Sequence, residues 1–455
     1  MPNISSLYTS LSALQTQRKV MDVTAHNVAN EATPGYHRQR VELQSLGARP
    51  IAGVMAGAQN RPYGVTSTGV TRSVDVLLEA RMVREEGNRS AANKTSSTMA
   101  TIEGIFPEPS DVGLSSQLGE FWGAWSDVAS NPESLSARTA LLQKTTTLTE
   151  NLHRAASDLT AVRNNAIERT GSLAIEVNDI AGRVADLNKM IVANPGDDND
   201  LIDQRDMLVT SLSKLTGAVA QPSPGGMVDV YVNGRSIVSG TIAHEITGVG
   251  GTLRFTADNL ALNPTSGEAG ALAATITDIV PRYTAALDDV AATIVTQVNA
   301  LHTTGYDQNS FTGRNFFDPA NTTAASISLS ADVLGQPANI AAGAPAPGPP
   351  GALDGEQARL MAALAESSTG PDSKYHALIS GLAVETQATS RRADIQNQVA
   401  DAAQSEADSI GAVSLDEEMA NLTSAQRAFE AAARVLTAVD DMLAFLIERT
   451  GVVGR

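Results

Sequence analysis

The strongest pattern in the chain is an apolar repeat at each end. Near the N-terminus it alternates spacings of three and four residues, at Ile4, Leu7, Leu11, Leu14, Met21, Ala25 and Val28. This spacing predicts a helix with one narrow apolar seam, as in a coiled coil, and Arg18 is its single break. Because an isolated helix of this length is marginally stable in water, we expect a partner helix to cover the seam.

The best partner lies at the other end of the chain. There the repeat recurs every seven residues, at Leu415, Leu422, Phe429, Leu436 and Leu443, with Met419 beside it. Ser414 is the predicted N-cap, and Asp416, Glu417 and Glu418 place negative charge where the helix dipole favours it. Each repeat alone is typical of ordinary core packing, but two such repeats at opposite termini favour a shared assembly surface.

The N-terminal repeat stops at Thr33-Pro34-Gly35-Tyr36. Pro34 disfavours helix at the preceding residue and sets φ for a turn, while Gly35 accepts the positive φ of the third position of a type II turn. We therefore expect a fixed corner at Pro34, Gly35 and Tyr36, followed by irregular chain over 37–64 and a short strand or arm over 65–72.

Between the ends, helical and strand periods alternate. Residues 132–193 predict one very long helix, with a break near Gly171, and Phe121, Trp122 and Trp125 predict a packing anchor just before it. Val228, Val230 and Val232 alternate before Asn233-Gly234, which predicts a β-hairpin. Residues 336–353 are rich in Pro, Ala and Gly and predict a linker that needs no core.

The predicted fold is mainly α with a β-rich insert. It has a coiled-coil-like assembly domain of the N- and C-terminal helices, a rod domain of long helices and an outer β-rich domain. The expected boundaries are 1–40 with 411–455 for the terminal assembly domain; 65–216 with 271–304 and 354–410 for the long-helix domain; 217–270 for the β-rich insert; 305–335 for an irregular or β segment; and 336–353 for the linker.

Composition narrows the function. The formal net charge of −18 disfavours nucleic acid and anionic membrane surfaces as partners. The chain has no cysteine, which excludes disulfides and thiolate chemistry. The sequence shows neither the pattern of a cleaved signal peptide nor an apolar run of membrane-spanning length, which by itself suggests a cytoplasmic protein.

No pattern of catalytic residues is apparent. The six histidines are scattered, and His244-Glu245 lacks the second histidine of a zinc-binding helix. Asp197, Asp198 and Asp200 are better explained as a solvated helix start than as a cation site, since the other ligand positions of a calcium loop are absent. Phosphate-binding loops and nucleophile elbows are missing too. We expect no enzyme activity, cofactor or metal.

Two terminal stretches resemble the signatures of the bacterial flagellar axial proteins, the family of rod, hook and hook-associated proteins. They are DVTAHNVANEATPGYHRQ at 22–39 and SLDEEMANLTSAQRAFEAAARVLTAVDDML at 414–443. His26 stands where the family usually has asparagine. Three internal stretches, at 114–138, 200–240 and, more weakly, 305–317, are similar to the hook-associated members that join hook to filament.

The resemblance implies a structural role without an active site. It implies self-assembly through the terminal helices, with hook protein on one side and a second junction protein or the filament on the other. It also implies export without a cleaved signal, an extracellular location in the flagellum, and a chaperone that binds the C-terminal helix. A hook or rod protein is the first alternative, and a secreted adhesin-like binding protein is the second.

Overall fold

The computed structural model describes residues 4–46, 64–194, 196, 198–344 and 354–450, and within these the side chains at 4, 5, 446, 449 and 450 lie outside the description. The helices are α1 (Ile4–Ala29), α2 (Val76–Ile105), α3 (Leu114–Ser130), α4 (Leu135–Ala193), α5 (Asn199–Thr216), α6 (Gly267–Ala274), α7 (Val280–His302), α8 (Glu356–Ala362), α9 (Pro371–Gly411) and α10 (Leu415–Thr450). The strands are β1 (Gln39–Leu46), β2 (Gly64–Arg72), β3 (Val219–Pro222), β4 (Val228–Val232), β5 (Arg235–Ser239), β6 (Ile242–Ala243), β7 (Ile246–Val249) and β8 (Thr252–Phe255).

Helix α4 is the axis of the rod. Its 59 residues correspond to roughly 90 Å at 1.5 Å per residue. Ser134 caps its start by accepting a hydrogen bond from the amide of Ala137. The predicted break at Gly171 is wrong, because α4 runs through it unbroken. Gly248 of β7 approaches this part of α4 closely, since a Cβ atom on Gly248 would lie 2.8 Å from the Cα of Gly171.

Two hydrophobic cores lie one after the other along α4. The first, here called the aromatic core, joins the first half of α4 to α3 and α7 around Phe121, Trp125 and Phe316. The second, the β-side core, joins the second half of α4 to α5, α6 and the strands of the insert. A π-helical turn at 275–279 connects α6 to α7 where the two cores meet. The long helices therefore act as a shared spine for both cores.

The β-rich insert is built on the predicted hairpin. β3, β4, β5 and β6 form an antiparallel sheet in that order, and β7 and β8 form a separate antiparallel pair. Asn233 and Gly234 have φ of 47° and 76°, as the tight turn between β4 and β5 requires. Val230 and Val238 are fully buried against the helices. The insert thus shares its core with the rod.

Two predictions about irregular chain are corrected. Residues 39–46 are not irregular but form β1, which pairs with β2 in antiparallel register with Val41 opposite Val70. The start of the predicted linker is not free of the core: Ile340 and Ala342 are buried in the aromatic core, where the guanidinium of Arg138 donates to the carbonyl oxygen of Ile340. The rest of the linker, 345–353, and residues 47–63 lie outside the described chain.

The two terminal helices pack along one another, and the β1–β2 hairpin lies beside α1. The end of α1 meets the start of α10, and Val20 of α1 lines the same groove as Ser424 of α10. The two helices are therefore antiparallel. We call α1 and α10 the terminal helix pair.

Candidate assembly site at the terminal helices

The predicted seams are only partly covered within one chain. Leu11, Leu415 and Met419 are 46%, 45% and 54% exposed. The side chain of Ile4 lies outside the description. The remaining predicted interface residues are half-buried, namely Leu7, Leu14, Met21, Val28, Leu422, Phe429, Leu436 and Leu443. Because apolar area that stays wet gives no stabilisation, each seam retains surface for another helix to cover.

The positions that the terminal helix pair buries fully are mostly small or polar. On α1 they are Ser10, Thr16, Thr24 and Asn27, and on α10 they are Glu418, Ala425 and Val439. Thr16 donates a hydrogen bond to the carbonyl oxygen of Val65 in β2, 3.3 Å away. The large apolar side chains border this buried face instead of filling it.

The predicted corner is a β-turn that packs on the rod. The amide of Tyr36 donates to the carbonyl oxygen of Thr33 at 3.2 Å, and Gly35 has φ of 74°. This is the positive φ that the sequence predicts for Gly35, the third position of the turn. A Cβ atom at position 35 would lie 2.4 Å from both Cγ and Sδ of Met207 in α5. The backbone conformation therefore favours glycine here, and a larger residue would also have to displace the side chain of Met207.

Asn27 is the centre of a buried polar cluster next to this corner. Its side-chain amide donates to the carbonyl oxygen of Gln39 at 2.9 Å and to a carboxylate oxygen of Glu418 at 3.1 Å. Its Oδ1 accepts from the amide of Gln39 at 2.9 Å and from the hydroxyl of Tyr36 at 2.7 Å. With all four hydrogen-bonding positions used, Asn27 joins α1, the corner, β1 and α10.

His26 lies beside this cluster. Since Tyr36 has one hydroxyl proton and directs it to Asn27, the Nδ1 of His26 must be the donor in its 3.2 Å hydrogen bond with the Tyr36 oxygen. The other ring nitrogen lies 3.5 Å from Asp200. Burial, then the charge of Asp200, raises the pKa of Tyr36, so its phenol remains a donor. The histidine thus supports the turn from one side.

Glu418 is buried rather than solvated. It is only 2% exposed, and the guanidinium of Arg38 donates to it at 2.8 Å and to Glu417 at 2.8 Å. Buried carboxylates are costly unless they are paired and hydrogen-bonded, and Glu418 has both Arg38 and Asn27. The acidic start of α10 is therefore a specific contact as well as a favourable charge at a helix start. We call Asn27, Tyr36, Arg38, Gln39 and Glu418 the corner cluster.

His37 fastens the corner to the rod helices. Its Nδ1 lies 2.7 Å from Asp203 of α5 and its Nε2 lies 3.2 Å from Glu79 of α2. Burial opposes the charged form, but the hydrogen bonds and charges of Asp203 and Glu79 outweigh it and raise the pKa of His37 to about 9. Arg72, from the end of β2, adds ion pairs to Asp203 and Asp206. At neutral pH this is a charged clasp between the terminal helices and the rod.

The backbone continues the same attachment. The amide of Arg38 donates to the carbonyl oxygen of Gly411 at 2.8 Å, and the amide of Ser73 donates to the carbonyl oxygen of Arg38 at 2.8 Å. A Cβ atom on Gly411 would lie 2.7 Å from the His37 ring. The end of α9 therefore closes over the corner.

The sequence indicated the corner and the seams but not the residues that join them. Asp203, Arg72 and Glu79 are far from position 37 in the chain and carry no local signal. The sequence predicts only dipole capping for the acidic triplet at 416–418 and does not reveal that Arg38 pairs with Glu417 and Glu418. In the part of the chain that the structure describes, no group of three or more His, Asp or Glu side chains is placed to hold a metal ion. None of the described helices combines the length and apolarity of a membrane span.

Comparison with known proteins gives matches along most of the chain. Residues 99–317 match the family model for the flagellar hook-associated protein FlgK helical domain. Residues 7–37 match a flagella basal body rod protein model, and residues 407–449 match a model for the C-terminal part of flagellar basal body rod FlgEFG proteins. The two rod models thus cover most of the terminal helix pair, and the FlgK model covers the β-side core and the part of the aromatic core up to residue 317.

Matches to whole proteins point to the same family as the match over 99–317. Flagellar hook-associated protein 1 of Bacillus subtilis is 27% identical over 507 residues, covering 99% of this chain and 99% of that protein. The Salmonella typhimurium protein of the same name is 26% identical, covering 71% of this chain and 61% of that protein. The structure of the flagellar hook junction protein FlgK from Burkholderia pseudomallei has a TM-score of 0.64 at 14% identity, covering 72% of this chain and 99% of that one, and supports the fold.

An axial flagellar protein is the class that this architecture defines: terminal helices with rod-protein signatures, joined through a corner to a long-helix body. The match over 99–317 separates the chain from rod and hook proteins within this class. The chain is similar to flagellar hook-associated protein 1 (FlgK) through its central helical domain and along most of its length, which confirms the resemblance that the sequence predicts.

Proposed function

We propose that the chain is a structural component of the bacterial flagellum and forms the junction between hook and filament by self-assembly. The observation that carries the proposal is the half-covered seam of the terminal helix pair, held in fixed geometry by the corner cluster. A seam that one chain leaves partly wet is completed when neighbouring copies pack against it. The rod then lies on the outer side of that contact.

The driving force of assembly is burial of the seams. Apolar area removed from water contributes about 25 cal/mol per Å². Ordering a helix end costs conformational entropy, which a neighbour offsets by covering the seam. The corner cluster lowers this cost, because its hydrogen bonds join α1 to Gln39 of β1, and Gln39 in turn donates to Asp200 of α5. Assembly therefore adds contacts to a largely preformed surface.

We also propose how the domains and partners are arranged in the assembly. The division predicted in the sequence is retained, with the terminal helix pair as the assembly domain and the long-helix body outside it. Hook protein lies on one side of the ring of copies, and a second hook-associated protein or the filament lies on the other. The net charge of −18 supports protein partners over nucleic acid or anionic membrane.

The chain leaves the cell through the flagellar export route without a cleaved signal, assisted by a chaperone on the C-terminal helix. The absence of cysteine suits a chain that is exported unfolded. The role is structural and needs no catalysis or cofactor. A hook or rod protein would share the terminal signatures, but the central match over 99–317 favours the junction.

The test is the double substitution Leu422→Asp with Leu436→Asp in a host whose own copy of the gene is deleted. Both side chains are half-buried beside α1, so the charges should separate the terminal helix pair and leave the two cores folded. We expect a secreted chain, hooks without filaments in electron micrographs, and no swimming. The control is Val384→Asp, at a 67% exposed position of α9, which should swim normally. Normal swimming of the double variant would contradict the proposal.

A further inference from the structure

The corner meets the rod through an apolar contact as well as through charged ones. Asp203 and Met207 are four residues apart in α5, so they lie on the same face of that helix. The amide of His37 donates to the carboxylate of Asp203 at 3.0 Å. The Cγ and Sδ atoms of Met207 lie against the backbone of Gly35, where a Cβ atom would be 2.4 Å from each of them. A thioether sulfur is therefore part of the joint between the terminal helix pair and the rod.

The Met207 side chain is also open to water. It is 38% exposed and lines a groove of ≈ 510 Å³ between α4 and α5, together with Met190 of α4. The guanidinium of Arg183 and the side-chain amide of Gln204 line the same groove. A small oxidant dissolved in water can therefore reach the sulfur, and both polar groups can donate hydrogen bonds to an oxidised side chain that lies in the groove.

We propose that Met207 is an oxidation site and that its oxidation releases the corner from the rod. The oxidant is a peroxide: a lone pair of the sulfur attacks one peroxide oxygen, the O–O bond breaks and an S–O bond forms. The sulfur is oxidised by two electrons, the transferred oxygen gives its proton to the departing hydroxide, and water leaves. The product is methionine sulfoxide, which is polar and accepts hydrogen bonds.

The sulfoxide does not fit the place that the thioether occupies. Sδ and the backbone of Gly35 are already in contact, so the added oxygen has no room between them. A polar oxygen that is buried without a hydrogen bond is also costly. In the groove, Arg183 and Gln204 supply donors. Oxidation therefore favours a side chain that is turned into the groove and away from Gly35.

Oxidation loosens the joint and leaves the fold intact. The hydrogen bond of Asp203 with His37 and its ion pair with Arg72 do not involve the sulfur, so they persist. Met207 belongs to neither hydrophobic core. The corner thus keeps its charged clasp but loses its apolar contact with α5, so it opens more often. This inference goes beyond the proposed function, because it concerns how one chain holds its own terminal helices.

Peptide mass spectrometry of the purified full chain after graded hydrogen peroxide treatment tests the chemistry. Met207 should be half converted to sulfoxide at a peroxide dose similar to that for Met190, which is 43% exposed. Met99 and Met361 are completely buried and should stay unoxidised until the chain unfolds. Conversion of Met207 only together with Met99 would reject the oxidation site.

Hydrogen exchange of the oxidised chain tests the consequence. The backbone amides of residues 33–38 should exchange roughly fourfold faster or more, which corresponds to losing the burial of about one methylene group. Met207→Leu, which has no sulfur and keeps an apolar contact, should show no such change after peroxide treatment. The matched control is Met190→Leu, which should respond to peroxide like the unsubstituted chain. Exchange in the aromatic core should stay the same in every sample.

Two further samples make the result independent of how well leucine fits at position 207. Met207→Gln, with a polar side chain of similar length, should show the faster exchange without peroxide. Methionine sulfoxide reductases acting on the oxidised, unsubstituted chain should restore its original rates. Equal acceleration in Met207→Leu, or original rates with Met207 fully converted, would reject the inference. Neither outcome bears on the proposed function, because no assembly enters these measurements.

Discussion

The aromatic core and the terminal helix pair differ in which side chains they bury. In the aromatic core the largest side chains, including Phe121, Trp125 and Phe316, are completely buried. In the terminal helix pair the fully buried side chains include Asn27 and Glu418, and large apolar side chains remain half-exposed. One region is complete within a single chain. The other is positioned by polar contacts and leaves apolar surface exposed, which we propose that neighbouring copies cover.

The largest expected effect is in the aromatic core. Trp125→Ala should lower the free energy of unfolding by about 3 to 5 kcal/mol, because it leaves a cavity among rigid rings, whereas Leu436→Ala should cost about 1 kcal/mol. Both tryptophans of the chain lie in this core, so fluorescence from Trp122 can follow denaturant unfolding of the Trp125 variant. If Trp125→Ala and Leu436→Ala lower the free energy of unfolding by similar amounts, the two regions do not differ in how they are stabilised.

Two histidines should give the regions opposite pH dependence. His302 lies in the aromatic core, donating to the carbonyl oxygen of Arg314 and accepting from the amide of Ala341, and burial lowers its pKa to about 4. Its unfolded-state value is near 6.5, so the unfolded chain binds the proton more readily. Stability from His302 is therefore complete above pH 6.5 and lost as pH falls towards 4.

His37 works in the other direction, since Asp203 and Glu79 hold its folded pKa near 9. Its contribution is complete below pH 6.5 and lost as pH rises through 9. Hydrogen exchange as a function of pH should show the aromatic core loosening in acid and the terminal helix pair loosening in alkali. His37→Gln should remove the alkaline change alone. An alkaline change that persists in His37→Gln would assign it to another group.

A smaller and more local loss is expected from Asn27→Ala. The substitution leaves Glu418 and the backbone of Gln39 short of hydrogen bonds in a buried site, a cost of about 1 to 3 kcal/mol. Faster hydrogen exchange should appear in α1 and the first turn of α10, with the aromatic core unchanged. The control is Asn421→Ala, an exposed asparagine of α10. Faster exchange in the aromatic core as well as in the terminal helix pair would mean that Asn27 stabilises more than the corner cluster.

The contrast also explains what the sequence could predict. Local signals were sufficient for the long helices, the Asn233-Gly234 hairpin and the positive φ of Gly35, because helix period and turn chemistry act over a few residues. They failed at Gly171, because packing on both sides keeps α4 continuous there although the position carries a glycine. They failed also at Ile340, which is apolar in a proline-rich stretch but is held by Arg138. The partners of Asn27 and His37 are set by packing of distant segments, which no local pattern encodes.

The finest test of how the corner is built concerns Gly35, where the effect on folding is confined to the corner. Valine at this position would suffer two costs: a positive φ that is unfavourable for β-branched residues, by about 1 to 3 kcal/mol, and a Cβ contact with Met207. Asparagine would suffer mainly the second, because it tolerates left-handed backbone.

Combining each substitution with Met207→Ala separates the two costs. In the Met207→Ala background, Gly35→Asn should hardly change the hydrogen-exchange rates of residues 26–40 or swimming, because the contact between its Cβ atom and the methionine side chain is gone. Gly35→Val should remain destabilising by about 1 to 3 kcal/mol in local opening, since removal of Met207 cannot relieve φ. Swimming should fall with it, because every copy in the assembly carries the same misdirected α1, while unfolding of the aromatic core stays unchanged. If the valine and asparagine variants behave alike in the Met207→Ala background, the positive φ of residue 35 contributes nothing to the cost of replacing glycine. The contact with Met207 in α5 would then account for all of that cost.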